Sequence, residues 1–241
     1  MRNIFIEYAY DGSLFYGSQR QPNQRTVQRE IEKALNILTK ENINLITAGR
    51  TDRGVHALKQ VSNFYTEAII PVEKFFYALF NSLPKDIHLL SLREINKEFN
   101  ARFDAKSRSY KYIITNEKSP FNVRYTTYIK KKININELER IMNIFVGVHN
   151  FTNFMLTDKS NKNPQREIYS IKVVENKNIE IFIRGSSFLK SQVRLMIGGA
   201  ILVLEKKLTL EQLKEYLDSP LLKYKKNVAN AAGLYLYDVE Y

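Results

Sequence analysis

The chain has 241 residues, 44% hydrophobic and 26% charged, enough for one large domain or two fused small ones with a real core. Lys and Arg total 37 against 25 Asp and Glu, a formal net charge of +12 that favours a polyanionic partner, since neutralised phosphates release counterions. The lack of cysteine excludes disulfides, thiolate zinc sites and iron–sulfur clusters; with no signal-peptide pattern at the start and no apolar run long enough for a bilayer, a cytoplasmic enzyme or binding protein is expected, with no membrane partner.

Hydrophobic periodicity maps the chain from its start. Residues 3–10 alternate as a strand, and Thr26 caps a helix with Val27, Ile31, Ala34, Leu35 and Leu38 on one face. Strands are expected over 43–49 and 60–66. Pro71 suits the first turn of a helix with Phe75, Phe76, Leu79, Phe80 and Leu83 inward, followed by a strand over 87–95. The second half replays this order. Residues 109–115 read as a strand and 136–145 as a helix. A hairpin joins 167–174 to 179–185 across Glu175–Asn178, and an apolar helix runs from about Ser187 to Leu204. Thr209 and Gln212 form the pattern of a capping box, and Leu234 to Val239 closes the chain as a strand. Each half therefore reads β-α-β-β-α-β. The expected class is α+β, with two fused ferredoxin-like halves, 1–104 and 105–241, sharing a mainly antiparallel sheet. The segment 148–166 reads as a long surface loop.

The most informative stretch is Thr47-Ala48-Gly49-Arg50-Thr51-Asp52-Arg53-Gly54-Val55-His56-Ala57. It leaves a strand, and its two glycines permit a tight path. If it stays extended, Arg50 and Asp52 share a side, and the guanidinium can hold the carboxylate by charge-assisted hydrogen bonds. An oriented, ionised carboxylate on a loop can act as nucleophile or base. A turn stapled by a local ion pair is the plainer explanation of the same residues. Tyr110 lies in Ser107-Arg108-Ser109-Tyr110-Lys111-Tyr112, where basic and aromatic residues interleave. Such a strand can stack a base and hold phosphate, or simply pack a core. His56, His88 and His149 are scattered without metal-ligand spacing. The lysine runs Lys130–Lys132, Lys206–Lys207 and Lys223/Lys225/Lys226 can touch RNA phosphates, though charge runs are usually a solvated face. No P-loop, dinucleotide fingerprint or RRM signature occurs.

Tyr10-Asp11-Gly12, Gly17 with Gln19-Arg20-Gln21, Thr26-Val27-Gln28 and Ala48–Asp52 with Gly54–Ala57 together resemble the tRNA pseudouridine synthase A (TruA) family. Phe99–Phe103, Tyr110–Tyr112, Phe151–Phe154, Phe188-Leu189 with Val193-Arg194, and Gly233–Leu236 continue the match in order. The resemblance implies the two ferredoxin-like halves, a homodimer, and uridine isomerisation at positions 38 to 40 of the tRNA anticodon arm. It also implies no cofactor and no required metal. By motif position Asp52 is the catalytic carboxylate and Arg50 its partner. Tyr110 is the third catalytic residue, stacking on the target base and managing the proton at C5; Leu234 lines the base pocket, Arg194 lies near the active site, and His56 and Arg20 contact the substrate. Three positions depart from the family pattern: Ser18 stands where Trp is usual, Arg53 where a small residue is common, and Gln192 where Met is usual. These departures preserve the chemistry and open the alternative of a divergent paralogue acting on another RNA such as ribosomal RNA. A catalytically silent RNA-binding protein on the same scaffold is the runner-up from a different class, against which intact Asp52, Arg50 and Tyr110 argue.

Overall fold

A computed structural model of the chain describes residues 1–157, 163–220, 222 and 225–241. They divide into two compact units, residues 1–106 with 235–241, and residues 107–234.

The first unit contains β1 (Arg2–Tyr10), α1 (Val27–Thr39), β2 (Ile46–Thr47), β3 (His56–Thr66), α2 (Val72–Ser82) and β4 (Ile87–Ile95). β1 is central, antiparallel to both β3 and β4. Ile4, Ile6 and Tyr8 on one face of β1 are buried in a core with Val27, Ile31 and Leu35 of α1 and Phe75 and Leu79 of α2. Thr26 caps α1 by accepting from the Arg29 amide at 3.4 Å, as its sequence position predicts. The expected strand over 43–49 shrinks to β2, which pairs with β3 only at Ile46↔Asn63 and Thr47↔Ser62. One reason is that the Leu45 amide is taken by the buried Glu32 carboxylate at 3.0 Å instead of by a neighbouring strand. α2 starts after Pro71, and its inward face is narrower than expected. Phe80 is 38% exposed, stacked on Phe76 and set edge-on to His88.

The opposite face of β1 holds a feature that periodicity hides. Asn3 and Asn63 are fully buried and joined at 2.9 Å. Asn3 donates to the carbonyls of Asn96 and Phe99, and Asn63 accepts from the Ala101 amide at 2.8 Å. The segment after β4 is thereby stitched across the sheet, with Phe99 packed between Phe5 and Tyr241.

The second unit contains β5 (Ser107–Thr115), β6 (Thr127–Tyr128), α3 (Ile135–Met142), β7 (Gly147–Asn150), β8 (Gln165–Glu175), β9 (Ile179–Gly185), α4 (Gln192–Leu204) and α5 (Leu210–Asp218). β9 lies between β5 and β8, and β7 pairs with β8, all antiparallel; β6 adds a short parallel pair to β5. The expected surface loop over 148–166 is partly structured, since β7 opens it and Phe151, Asn153 and Phe154 are buried. Its residues 158–162, and Lys223 of the third lysine run, lie outside the described residues. α4 starts five residues later than the apolar run suggests. Ser191 has φ +59°, and the buried Gln192 side chain accepts from the Leu189 amide at 2.8 Å, fixing a turn ahead of the helix. α5 opens with the expected capping box between Thr209 and Gln212.

The last strand, β10 (Leu234–Glu240), belongs from Tyr235 onward to the first unit. It runs parallel to β3, with Tyr235 opposite His56 and Leu236 opposite Ala57. The division expected at 104/105 places this strand in the second half, and the structure moves it to the first. The sheets are otherwise mainly antiparallel, as the α+β class requires.

Candidate active site

The loop between β2 and β3 is held from several sides at once. The Ala48 amide bonds the Val61 carbonyl at 3.0 Å, and Gln60 Nε2 donates to the Gly49 carbonyl at 3.0 Å. Thr51 is the most tightly fixed. Its amide donates to Ser18 Oγ at 2.8 Å, its carbonyl accepts from the Ser18 amide at 3.1 Å, and its hydroxyl meets the Tyr10 hydroxyl at 2.8 Å. Gly17, at φ +92°, lets this second chain approach, for a Cβ there would lie 2.8 Å from the Thr51 carbonyl. Immediately after the clamp the chain turns. The Val55 amide bonds the Asp52 carbonyl at 3.1 Å, and Gly54 supplies the φ of +78° that a type II turn needs at its third residue. Asp52 is half-buried between buried Thr51 and exposed Arg53.

The expected Arg50–Asp52 ion pair does not form. Arg50 is exposed, and no such pair is present among the described residues. Residues 48–55 lie between β2 and β3 outside any strand, so strand alternation does not bring Arg50 and Asp52 to one side. Arg20 is tied to the buried Glu32 carboxylate at 3.2 Å, with its side chain still about half exposed. His56 is only 2% exposed. Its Nδ1 accepts from the Gly12 amide at 3.1 Å and lies 3.2 Å from Asp11 Oδ1, and its ring stacks on Tyr235 at 4.7 Å. It therefore braces the exit of the loop from inside.

In the second unit Tyr110 is 7% exposed on β5 and meets Phe188 edge-on at 5.0 Å. The cations expected beside it for phosphate are otherwise engaged. Lys111 pairs with Glu180 at 3.3 Å, and Arg108 Nη1 donates to the Ser186 carbonyl at 3.0 Å. Tyr112 donates to the Asn230 carbonyl at 3.0 Å and meets the Thr127 hydroxyl at 2.7 Å. Burial pushes its phenol up to about 12, and the nearby Arg194 charge opposes that shift. Arg194 on α4 donates from Nε to the Ala229 carbonyl at 2.8 Å, and its own carbonyl accepts from the Ala229 amide at 3.0 Å. The strap 227–233 is thus bound along α4 and leads directly into buried Leu234. Arg194, Tyr112 and the approach to Leu234 come together here, while Arg50, Asp52, His56 and Arg20 belong to the first unit.

No group of three or more His, Cys, Asp or Glu residues among those described is arranged to hold a metal. Among the described residues, no helix is long and apolar enough to cross a membrane. The sequence marks Ser18 and Gln192 only as departures from the family pattern, without their bonds to Thr51 and Leu189, and does not reveal the buried Asn3–Asn63 pair. The available signal was a polar residue set among buried positions.

A mixed α+β chain with a formal net charge of +12, in which a fixed turn presents Asp52, fits the class of enzymes that act on RNA. The family model described as tRNA pseudouridine synthase matches residues 7–104 and 141–241, and the chain belongs to that family. The tRNA pseudouridine synthases A of Borrelia hermsii and Caldicellulosiruptor bescii are each 38% identical to it, and that of Acetivibrio thermocellus 37%, in every case over 100% of both chains. Among solved structures, the archaeal box H/ACA sRNP Nop10–Cbf5 complex matches 80% of this chain and 44% of that one, at 10% identity and a TM-score of 0.37. The family match includes Arg20, Arg50, Asp52, His56, Arg194 and Leu234, whereas Tyr110 falls in the unmatched segment.

Proposed function

We propose that the chain isomerises uridine to pseudouridine in the tRNA anticodon arm, at positions 38 to 40, with Asp52 as the catalytic carboxylate. The observation that carries this is the Asp52 turn itself. Thr51 is fixed by three hydrogen bonds, so the carboxylate that follows is presented from a preorganised backbone on the family's own motif.

In the reaction the N1–C1′ glycosidic bond breaks and a C5–C1′ bond forms; N1 gains a proton and C5 loses one. Nothing is oxidised or reduced, so the balance calls for no cofactor. The target nucleotide must first leave its stack, at a cost of a few kcal/mol. Asp52 then acts on the ribose C1′, on the base C6 or on the C2′ proton, three routes that share the same carboxylate. Tyr110 is the ring that stacks on the target base, Leu234 the wall of its pocket, and Arg194 a cation that serves the site. Arg50, exposed and without a carboxylate partner among the described residues, is available to substrate phosphate or to Asp52 once RNA is bound. Arg20 offers its exposed edge to RNA, and His56 serves the site through the loop it braces. The active form is a cytoplasmic homodimer.

The test is incubation of the protein with unmodified tRNA transcripts, mapping pseudouridine by carbodiimide primer extension beside Asp52→Asn. Stops at 38 to 40 that vanish in the variant are expected. Stops in ribosomal RNA alone would move the substrate, and binding without stops in either RNA would leave a silent binder.

A further inference from the structure

Two of the three departures from the family pattern have internal work. The Ser18 hydroxyl takes the Thr51 amide, and Gln192 fixes the turn before α4. The third does not point inward. Arg53 occupies the second position of the Asp52–Val55 turn, is exposed, and lies with its guanidinium over the Tyr16 ring, 4.2 Å from the centroid. Tyr16 is itself held, since its amide donates to the Arg25 carbonyl at 2.9 Å and its carbonyl accepts from Gln21 Nε2 at 2.7 Å. No carboxylate pairs with Arg53 among the described residues.

We propose that Arg53 and Tyr16 form a phosphate clamp, in which Arg53, braced on the tyrosine ring, binds a backbone phosphate of the RNA beside the nucleotide presented to Asp52. The inference rests on the reading of Asp52 above and adds a substrate contact to it. The physical case has three parts. A guanidinium held over an aromatic ring still has several N–H donors to offer a phosphate's two oxygens. The ring limits the rotamers that a long surface side chain would otherwise lose on binding. A cation one residue from a carboxylate also offsets the repulsion that this carboxylate exerts on an approaching polyanion. Arg20, by contrast, spends part of its charge on Glu32.

The experiment measures binding of an unmodified tRNA transcript at several salt concentrations for the unaltered protein, Arg53→Ala, Arg53→Lys and Tyr16→Leu. Arg53→Ala is expected to weaken binding about tenfold at low salt and to lower the slope of log affinity against log salt by about 1. Arg53→Lys should keep the slope, since the charge remains, but recover only part of the affinity. Tyr16→Leu should weaken binding about two- to fivefold through loss of the ring. An Arg53→Ala protein with native thermal unfolding and an unchanged slope would overturn the clamp, even if pseudouridine formation stays intact in the parent. A slope that is kept with a large loss of affinity would assign Arg53 to a base instead. If the parent protein binds and modifies no tRNA, the functional reading fails first and takes the clamp with it.

Discussion

Ser18 shows how much one buried side chain can contribute to holding the loop that carries Asp52. Its hydroxyl accepts from the Thr51 amide, and both residues are buried. Ser18→Ala leaves that amide without its partner, which costs about 1–3 kcal/mol for a buried donor. The carbonyl half of the clamp survives, since the residue 18 amide still reaches Thr51. The loop therefore loosens without detaching, and Asp52 inherits the slack. Urea unfolding is expected to show the stability loss, and the turnover rate on tRNA to fall about tenfold, because small misplacements of a reacting group are costly. Ser18→Thr restores the hydroxyl and should recover most of both. A full rate in Ser18→Ala would mean that the residue 18 backbone bond and the Tyr10 hydroxyl suffice to position Asp52. In the sequence, Asp52 is conspicuous because its neighbours carry a recognisable motif. Ser18 stands out only as a departure from that motif's surroundings, and its bond to Thr51 is hidden because it spans 33 residues.

At the level of elements, what was legible follows from how local each determinant is. The Thr209–Gln212 capping box and the Thr26 cap are closed by bonds three residues apart, and the structure forms both. The extent of β2 and the start of α4 depend instead on Glu32 reaching Leu45 and on the backbone of Ser191, which no periodicity encodes. Close approach is equally hidden. Gly198 on α4 lies so near the Asn227 carbonyl that a Cβ would overlap it, while Asn227 Nδ2 donates back to the Gly198 carbonyl at 3.0 Å. Gly198→Ala must push the strap 227–233 off the helix, and with it the Ala229 contacts of Arg194. A loss of about 1–3 kcal/mol is expected, the usual cost of overpacking. Hydrogen exchange should find the Ala229 amide unprotected in the variant, while the amides of β5 and β9 exchange as before. Unaltered protection at Ala229 would show that the helix, not the strap, gives way.

At the scale of the whole molecule, each unit carries a buried tyrosine of the same electrostatic kind. Tyr8 in the first unit and Tyr112 in the second are both raised to about 12, chiefly by burial. Each keeps its hydroxyl bonded, Tyr8 to Ser62 at 2.9 Å and Tyr112 to Thr127 and Asn230. An unfolded tyrosine ionises near pH 10, so the folded state holds its proton more tightly than the unfolded state does. The resulting stabilisation is fully present below pH 10 and is lost as the pH rises through about 12. A phenol raised from 10 to about 12 contributes roughly 2–3 kcal/mol in this way, so both halves of the molecule should weaken over the same alkaline window. Lysine deprotonation falls in that window too, and Tyr112→Phe separates the causes. The variant gives up two hydrogen bonds at neutral pH but should show a shallower fall in urea stability between pH 10 and 12. Absorbance at 295 nm gives the second readout: two tyrosines should ionise only together with unfolding. If all 15 tyrosines titrate before the fold is lost, neither phenol is as protected as its burial implies.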